Sequence, residues 1–447
     1  MKKKDNQHFL WGNEFLTDRE ASTHFLALGA AGSGKTINIL LLMKSVVARM
    51  KIEGSGVRSL VYDSKTDLLS KIRGTGIEKE DILVLNPFDD RRCAWDMAKD
   101  ITTPGEAEDL ASLLAPANQE SNPYFSIAAQ KLLSGMIKSF QVRGCLWTLR
   151  DLILASRDPE RIKKIVEKSK YTRDLLTYFE NEEILQKVCS MLATKLGKFE
   201  SVASSWEGAK RKFTIGEWMK NQQMLVLGND SKQAQPIQAL NQLLFASIAK
   251  EIMTKPGEAM SKHWFFLDGL RELGFLRMLN DLMLVGRSKG AAMVLGVQDT
   301  RGLAAEYGDD KLKEIIGQAR NLALLRINPT QPETQKWASK VAGQLRYREI
   351  KTSMIDQMRT DPCFHPLYFS QKLHKVTFEK GMAGLFYTRE KLYEQEYSGK
   401  ILFTDEGKPP RYNRVPDAVK GYDDHQPLTG QLLLEPWNDS DLERLGI

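Results

Sequence analysis

The chain has 447 residues, with 64 lysines and arginines against 57 aspartates and glutamates for a net charge of +7. That length predicts two or more domains, and 42% hydrophobic with 27% charged residues is a soluble globular balance that excludes a disordered or fibrous chain. No run of about 18 apolar residues predicts a transmembrane helix, and the basic start Met1-Lys2-Lys3-Lys4 lacks the apolar core of a secretory signal. Cys93, Cys145, Cys189 and Cys363 are far apart and form no C-x-x-C pair, which argues against zinc or a redox pair and fits a reducing cytosol. The modest positive charge permits nucleic-acid contact without demanding it.

In chain order, the first strong signal is the apolar run 25–28, read as a buried strand. It is followed by Gly29-Ala30-Ala31-Gly32-Ser33-Gly34-Lys35-Thr36 and then by the Ile-, Leu-, Met- and Val-rich stretch 37–47, read as a buried helix. The octet fits G-x-x-x-x-G-K-[ST], the phosphate-binding loop of P-loop NTPases. A loop between strand and helix aims successive backbone N–H groups at one point, and the helix N-terminus adds partial positive charge. Gly32 and Gly34 allow backbone conformations that a side chain forbids. Lys35 reaches the β- and γ-phosphates, and the Thr36 hydroxyl suits a Mg²⁺ ligand. Gly29, Gly32, Ser33, Gly34, Lys35 and Thr36 are therefore the candidate ATP-binding set.

Further short apolar runs follow at 59–63, 82–85, 224–228, 264–268, 292–298 and 322–326. With helical stretches between most of them, they predict a mostly parallel sheet covered on both faces. Residues 104–206 carry no convincing strand signal and read as helices over 107–114, 127–142, 149–155 and 183–196. After about Glu396 the loop signals Gly407-Lys408-Pro409-Pro410-Arg411 and the acid-rich end predict an extended arm or tail.

A phosphate-binding loop needs an acid for the magnesium shell at the end of another apolar strand. Asp268, closing Trp264-Phe265-Phe266-Leu267-Asp268, fits that Walker B position; capping the next helix is the competing role. Hydrolysing ring motors carry a glutamate directly after this aspartate, and here the residue is Gly269. Glu272 can substitute if the turn folds back, a surface ion pair being the other reading. Asp63 either faces the nucleotide or caps a helix.

With those residues placed, the chain resembles the TraD/TraG-like type IV coupling proteins, hexameric RecA-like ATPases of conjugation and type IV secretion. The resemblance runs from about Leu10 to Glu349. It rests on Thr23-His24 before the loop, on Val61-Tyr62-Asp63-Ser64-Lys65-Thr66-Asp67-Leu68-Leu69, and on Leu85-Asn86-Pro87-Phe88 with Trp95-Asp96. It rests also on Phe266-Leu267-Asp268, Leu273-Gly274, Gly286-Arg287-Ser288-Lys289-Gly290 and Val294-Leu295-Gly296-Val297-Gln298. It implies an α/β, RecA-like P-loop NTPase with an inserted all-α domain and a C-terminal arm. The division is then 1–103 and 207–395 for the nucleotide-binding domain, 104–206 for the insertion and 396–447 for the arm.

The resemblance also implies roles. Arg287 matches an interface arginine that approaches the neighbour's γ-phosphate, with a surface arginine on a helix end as the alternative. Gln298 ends a strand where related motors keep a γ-phosphate sensor, with a core glutamine as its alternative. Catalysis would then involve Lys35, Asp268, Arg287 and Gln298, with Mg²⁺ on Thr36 and Asp268. The implied protein is a ring, hexameric in the family, that recruits DNA, protein or both and drives or gates transfer to a membrane channel. It would be cytoplasmic and peripheral at the inner face of a bacterial membrane, held by secretion-system partners or by an anchor on a longer form. Lysines 163, 164, 168, 170, 195, 198, 210 and 212, with Arg211, can line a channel for DNA phosphates or form solvated helix faces. The rivals are a DNA translocase of the FtsK/HerA type and a nucleotide-binding scaffold that barely hydrolyses.

Overall fold

The computed structural model describes residues 9–117, 123–349, 357–389, 391–404, 414–430 and 432–447. Its main element is a nine-stranded sheet. The strands in chain order are β1 (Phe25–Leu28), β2 (Arg58–Asp63), β3 (Ile82–Val84), β4 (Met224–Leu227), β5 (Glu258–Asp268), β6 (Lys289–Val297), β7 (Asn321–Leu324), β8 (Met382–Thr388) and β9 (Lys391–Tyr397). Their spatial order is β9-β8-β7-β1-β6-β5-β2-β4-β3. The pairs β1–β6, β6–β5, β5–β2 and β1–β7 are parallel. The pairs β7–β8 and β8–β9 are antiparallel. Every residue of β1, β2 and β4 is buried, as strands covered on both faces require.

The sheet is mostly parallel and flanked by helices, the architecture predicted by the apolar runs. The hairpin β8–β9 extends it beyond that reading. β9 has the sequence Lys-Leu-Tyr-Glu-Gln-Glu-Tyr, whose charged and half-exposed side chains suit an edge strand.

The chain divides into two compact units. The first comprises Met1–Ile82, Gln222–Leu225 and Ile252–Asp424. Its long helix α1 (Lys35–Met50) buries Ile39 to Met43, Val46, Val47 and Met50. Aromatic rings reinforce this core: Trp264 lies 4.9 Å from Phe9 and 5.9 Å from Phe25, and Trp11 lies 5.0 Å from Phe25. His24, just before β1, is 2% exposed. Its Nε2 is 2.8 Å from the Met283 carbonyl, and its Nδ1 accepts from the Met293 N–H at 3.1 Å. That pairing requires the neutral ring with the proton on Nε2. Burial, helped by the charge of Arg287, pulls the His24 pKa down to about 4.

The second unit comprises Leu83–Asn221, Val226–Glu251 and His425–Ile447. Its described residues from 104 to 207 carry helices and no strand. The central helix, Tyr124–Val142, buries Ala128, Ala129, Leu132, Leu133, Met136, Ile137 and Phe140, which recur at helical spacing. The helix Pro104–Leu114 starts on a capping box between Thr103 and Glu106 with proline in its first turn. A C-terminal helix, Asp439–Leu445, belongs to the same unit. Asp151 is 0% exposed and accepts from Arg444 at 2.8 and 3.0 Å and from Trp437 Nε1 at 2.8 Å. The adjacent Arg150 donates to the Glu435 and Pro436 carbonyls and to Asp441 at 2.9 Å. These charge-assisted bonds hold the Asp441 carboxyl well below its usual range. No described helix is long and apolar enough to cross a membrane.

Two stability effects follow from these contacts. Asp151→Ala removes the buried acceptor of Trp437 Nε1 and leaves Arg444 only Asp441 and the Leu146 carbonyl, and should destabilise the fold by about 3 kcal/mol; a urea midpoint equal to that of the wild type would refute the tie. For His24 the folded pKa lies below the ordinary value of 6.5. Its contribution is therefore complete above that value and is lost as pH falls toward about 4. Urea unfolding at pH 7 and pH 5 should show about 2 kcal/mol more loss in the wild type than in His24→Asn.

Candidate active site

The octet between β1 and α1 forms a tight loop anchored on neighbouring strand ends. Gly29 N donates to the Val297 carbonyl at 3.0 Å, and Ala30 N to the Arg326 carbonyl at 2.7 Å. Gly34 has φ +101° and Gly32 has φ +74°, the left-handed region that glycine alone enters freely. A Cβ on Gly34 would also stand 2.4 Å from Met382 Sδ, so β8 braces the loop from behind. Val376 N donates to the Gly32 carbonyl at 2.9 Å and ties the segment before β8 to the same loop.

Lys35 Nζ donates to the Gly29 and Ala30 carbonyls at 2.7 and 3.1 Å. Burial pulls the ammonium below its usual range, and the charges of Asp268 and Glu272 oppose that shift. The Thr36 hydroxyl donates to the Asp268 carboxylate. This contact reaches across β6, where Gly296 pairs with both Ala27 and Asp268. A Cβ on Gly296 would lie 2.3 Å from Asp268 Oδ1, so a bare backbone at that position makes room for the carboxylate.

The loop opens on a cavity of about 500 Å³, within the range of roughly 300–1,000 Å³ common for small-molecule sites. Lys35, Thr36, Asp268 and Gln298 all line it, as do Gly269 and Glu272. Gly32 and Gly34 line it too, while Ser33 is 1% exposed behind the loop. The Ser33 hydroxyl has no hydrogen-bond partner among the described residues.

Arg287 lies elsewhere. It sits in the exposed turn Gly286–Ser288 before β6, whereas Gln298 follows the other end of that strand. A strand of that length separates its ends by about 30 Å, so Arg287 does not reach the cavity of its own chain. Asp63 turns away as well: its carboxylate accepts from Asp67 N at 3.1 Å and Leu68 N at 3.0 Å and closes the turn after β2. Burial pushes its pKa up to about 6.

Several lysines of the helical region have local engagements. Lys168 and Lys195 donate to the Gly446 and Pro116 carbonyls, and Lys198 lies 4.9 Å over the Phe199 ring. Lys210, Arg211 and Lys212 are exposed.

Sequence reasoning missed Phe403 and Val415, which line the cavity from the C-terminal part of the chain. Neither stands in a motif, and their sequence distance from the loop hides the contact. It left Glu272 open, and the turn does fold back: Glu272 N donates to the Gly269 carbonyl at 3.0 Å, and both residues line the cavity.

TraD of Escherichia coli (strain K12), a coupling protein, is 24% identical over an alignment of 361 residues that covers 76% of this chain. The chain spans about half of that relative's length, 46%. Among solved structures, the conjugative coupling protein TrwBdeltaN70 in its unbound monoclinic form superposes with a TM-score of 0.72 at 18% identity, covering 91% of this chain and 93% of that one. TrwB in complex with ADP and Mg²⁺ gives 0.70 at 18% identity, covering 93% and 94%. These likenesses show the fold, that of a RecA-like P-loop NTPase. The family model for the type IV secretion-system coupling protein DNA-binding domain matches residues 15–358, and the chain belongs to that family.

Proposed function

We propose that this chain binds ATP with Mg²⁺ and is the ATPase core of a type IV secretion or conjugation coupling protein. The carrying observation is the Thr36–Asp268 contact beside a phosphate-binding loop, which sets a hydroxyl and a carboxylate side by side. Hard oxygen donors of this kind suit Mg²⁺. The loop's glycine conformations suit a phosphate group.

When bound, Mg²⁺ would neutralise charge on the phosphate oxygens. Thr36 and Asp268 would hold it. Lys35 would exchange its carbonyl partners for the β- and γ-phosphates, and Gln298 would contact the γ-phosphate from the end of β6. Gly29, Gly32, Ser33 and Gly34 would wrap the phosphates with the rest of the loop. TrwB, which shares the fold, has been solved with ADP and Mg²⁺ and with an ATP analogue.

Arg287 acts in trans in this reading. Its place a strand's length from the chain's own cavity leaves a neighbouring copy's triphosphate as its target. A permanently charged planar fork there would spread transition-state charge. The assembly is then a ring, hexameric by family resemblance. It recruits DNA, protein or both and drives or gates delivery to a secretion channel at the inner face of a bacterial membrane, where secretion-system partners hold it. The helices between 104 and 206 form its inserted domain.

Lys35→Ala should weaken Mg²⁺-dependent binding of a fluorescent ATP analogue at least tenfold, a loss of about 1.4 kcal/mol; an unchanged Kd would refute the nucleotide site. Arg287→Ala should bind the analogue normally yet lose ATP turnover. A mixture of Arg287→Ala and Lys35→Ala chains should recover part of the turnover that each lacks alone, because an intact pocket then meets an intact arginine. Normal assembly of the mixture with no recovery would remove Arg287 from the neighbour's site.

A further inference from the structure

The residue after Asp268 carries no carboxylate, yet a carboxylate stands beside it. Gly269 has φ +93°, and a Cβ built on it would lie 2.9 Å from Glu272 Oε2 and 2.9 Å from Ser64 Oγ. A glutamate rooted at that position would carry its own carboxylate oxygen about 3 Å from its Cβ. Glu272 therefore brings an oxygen to a comparable separation from the same backbone point, along a different path.

The path is held by backbone and by burial. Glu272 N bonds to the Gly269 carbonyl at 3.0 Å, closing the turn. Leu270 and Leu273, on either side of that turn's second half, are each 1% exposed and anchor it in the core. Glu272 itself is exposed and lines the cavity with Lys35, Thr36 and Asp268. Its charge acts on the Lys35 ammonium together with that of Asp268.

Resting on the nucleotide reading above, we propose that Glu272 is the catalytic carboxylate that orients and deprotonates the attacking water. The water oxygen bonds to the γ-phosphorus as the bond between that phosphorus and the bridging oxygen breaks. The bridging oxygen keeps the electron pair and leaves on the nucleoside diphosphate. The water proton passes to a Glu272 oxygen and from there to the released phosphate, which regenerates the carboxylate. Gly269 belongs to the same device: its left-handed backbone and missing side chain leave the space that the Glu272 carboxylate enters.

The test compares full-length wild type, Glu272→Gln and Gly269→Glu. Glu272→Gln keeps the size of the side chain and should bind a Mg²⁺–ATP analogue within about twofold of wild type, while turnover falls about 100-fold or more. It should also fail to trap ADP with aluminium fluoride, a readout independent of turnover. Glu272→Asp, with a shortened carboxylate, should fall between the two. Gly269→Glu should lower the thermal midpoint and should not raise turnover, because its side chain enters occupied space in a strained backbone conformation. Wild-type turnover and trapping in Glu272→Gln would overturn the proposal, as would a large gain in turnover from Gly269→Glu. So would a wild type that binds the analogue but hydrolyses no ATP with DNA present. Loss of Mg²⁺–ATP binding by none of the variants, Lys35→Ala included, would instead sink the nucleotide reading itself.

Discussion

The contact from the Thr36 hydroxyl to the Asp268 carboxylate fixes the geometry of the site. It joins the first turn of α1 to the end of β5 across the intervening strand β6. Three features must coincide for it to form. The parallel register must bring β1, β6 and β5 to a common carboxyl edge. The strand between them must be bare at that level, which Gly296 provides. The loop must deliver Thr36 in the first helical turn, which the left-handed conformations of Gly32 and Gly34 allow. Parallel sheets collect ligands at this edge because all their strand ends and following loops lie there together.

The parts of this arrangement that could be read in the sequence carry their information locally. Continuous apolar runs mark strands buried on both faces, and G-x-x-x-x-G-K-[ST] constrains a loop within eight residues. The parts that could not be read depend on partners far away in the chain. Nothing near Gly34 announces that Met382 fills the space where its Cβ would be. β9 is a half-exposed edge strand, and its mixture of charges and aromatics imitates an amphipathic surface segment. Asp63 closes a strand as Asp268 does, and the pattern of residues cannot separate them. The separation arises because the turn after β2 offers Asp63 two backbone N–H donors of its own. The acid-rich C-terminal stretch reads as an extended arm or tail, yet Asp441 pairs with the buried Arg150.

The same parallelism that gathers the cavity's residues at one edge sends Arg287 to the other. β1 and β6 run side by side, so the segments that precede them, His24 and the Gly286–Ser288 turn, share the amino edge. His24 links that edge internally, bonding the Met283 carbonyl and the Met293 N–H on either side of Arg287. Burial keeps its ring neutral, which its acceptor role at Nδ1 requires. A single chain therefore carries the Gly29–Thr36 loop at one edge and Arg287 at the other, and the two cannot meet. In the proposed ring each edge finds its counterpart on a neighbour, and a site complete only in the assembly ties turnover to assembly.

A carboxylate carried by a turn has a different mechanical status from one carried by a strand. A residue directly after Asp268 would inherit the rigidity of β5, which is paired on both sides. Glu272 instead depends on the packing of the loop that carries it. Leu270, Leu273 and Leu276, each 1% exposed, set one side of that loop in the core. Tyr307 staples its far end, accepting from Leu276 N at 3.0 Å and donating to the Gly274 carbonyl at 3.1 Å. Tyr307 closes the helix Thr300–Tyr307, whose N-cap, Asp299, follows Gln298 and lines the cavity. Gln298, proposed to contact a γ-phosphate, and the turn that carries the proposed base Glu272 are thus joined through one helix. The helix Thr300–Tyr307 spans from the end of β6 to the loop that carries Glu272. A carboxylate on that turn takes its position from the packing of Leu270, Leu273 and Leu276 and from the Tyr307 bonds, not from strand pairing.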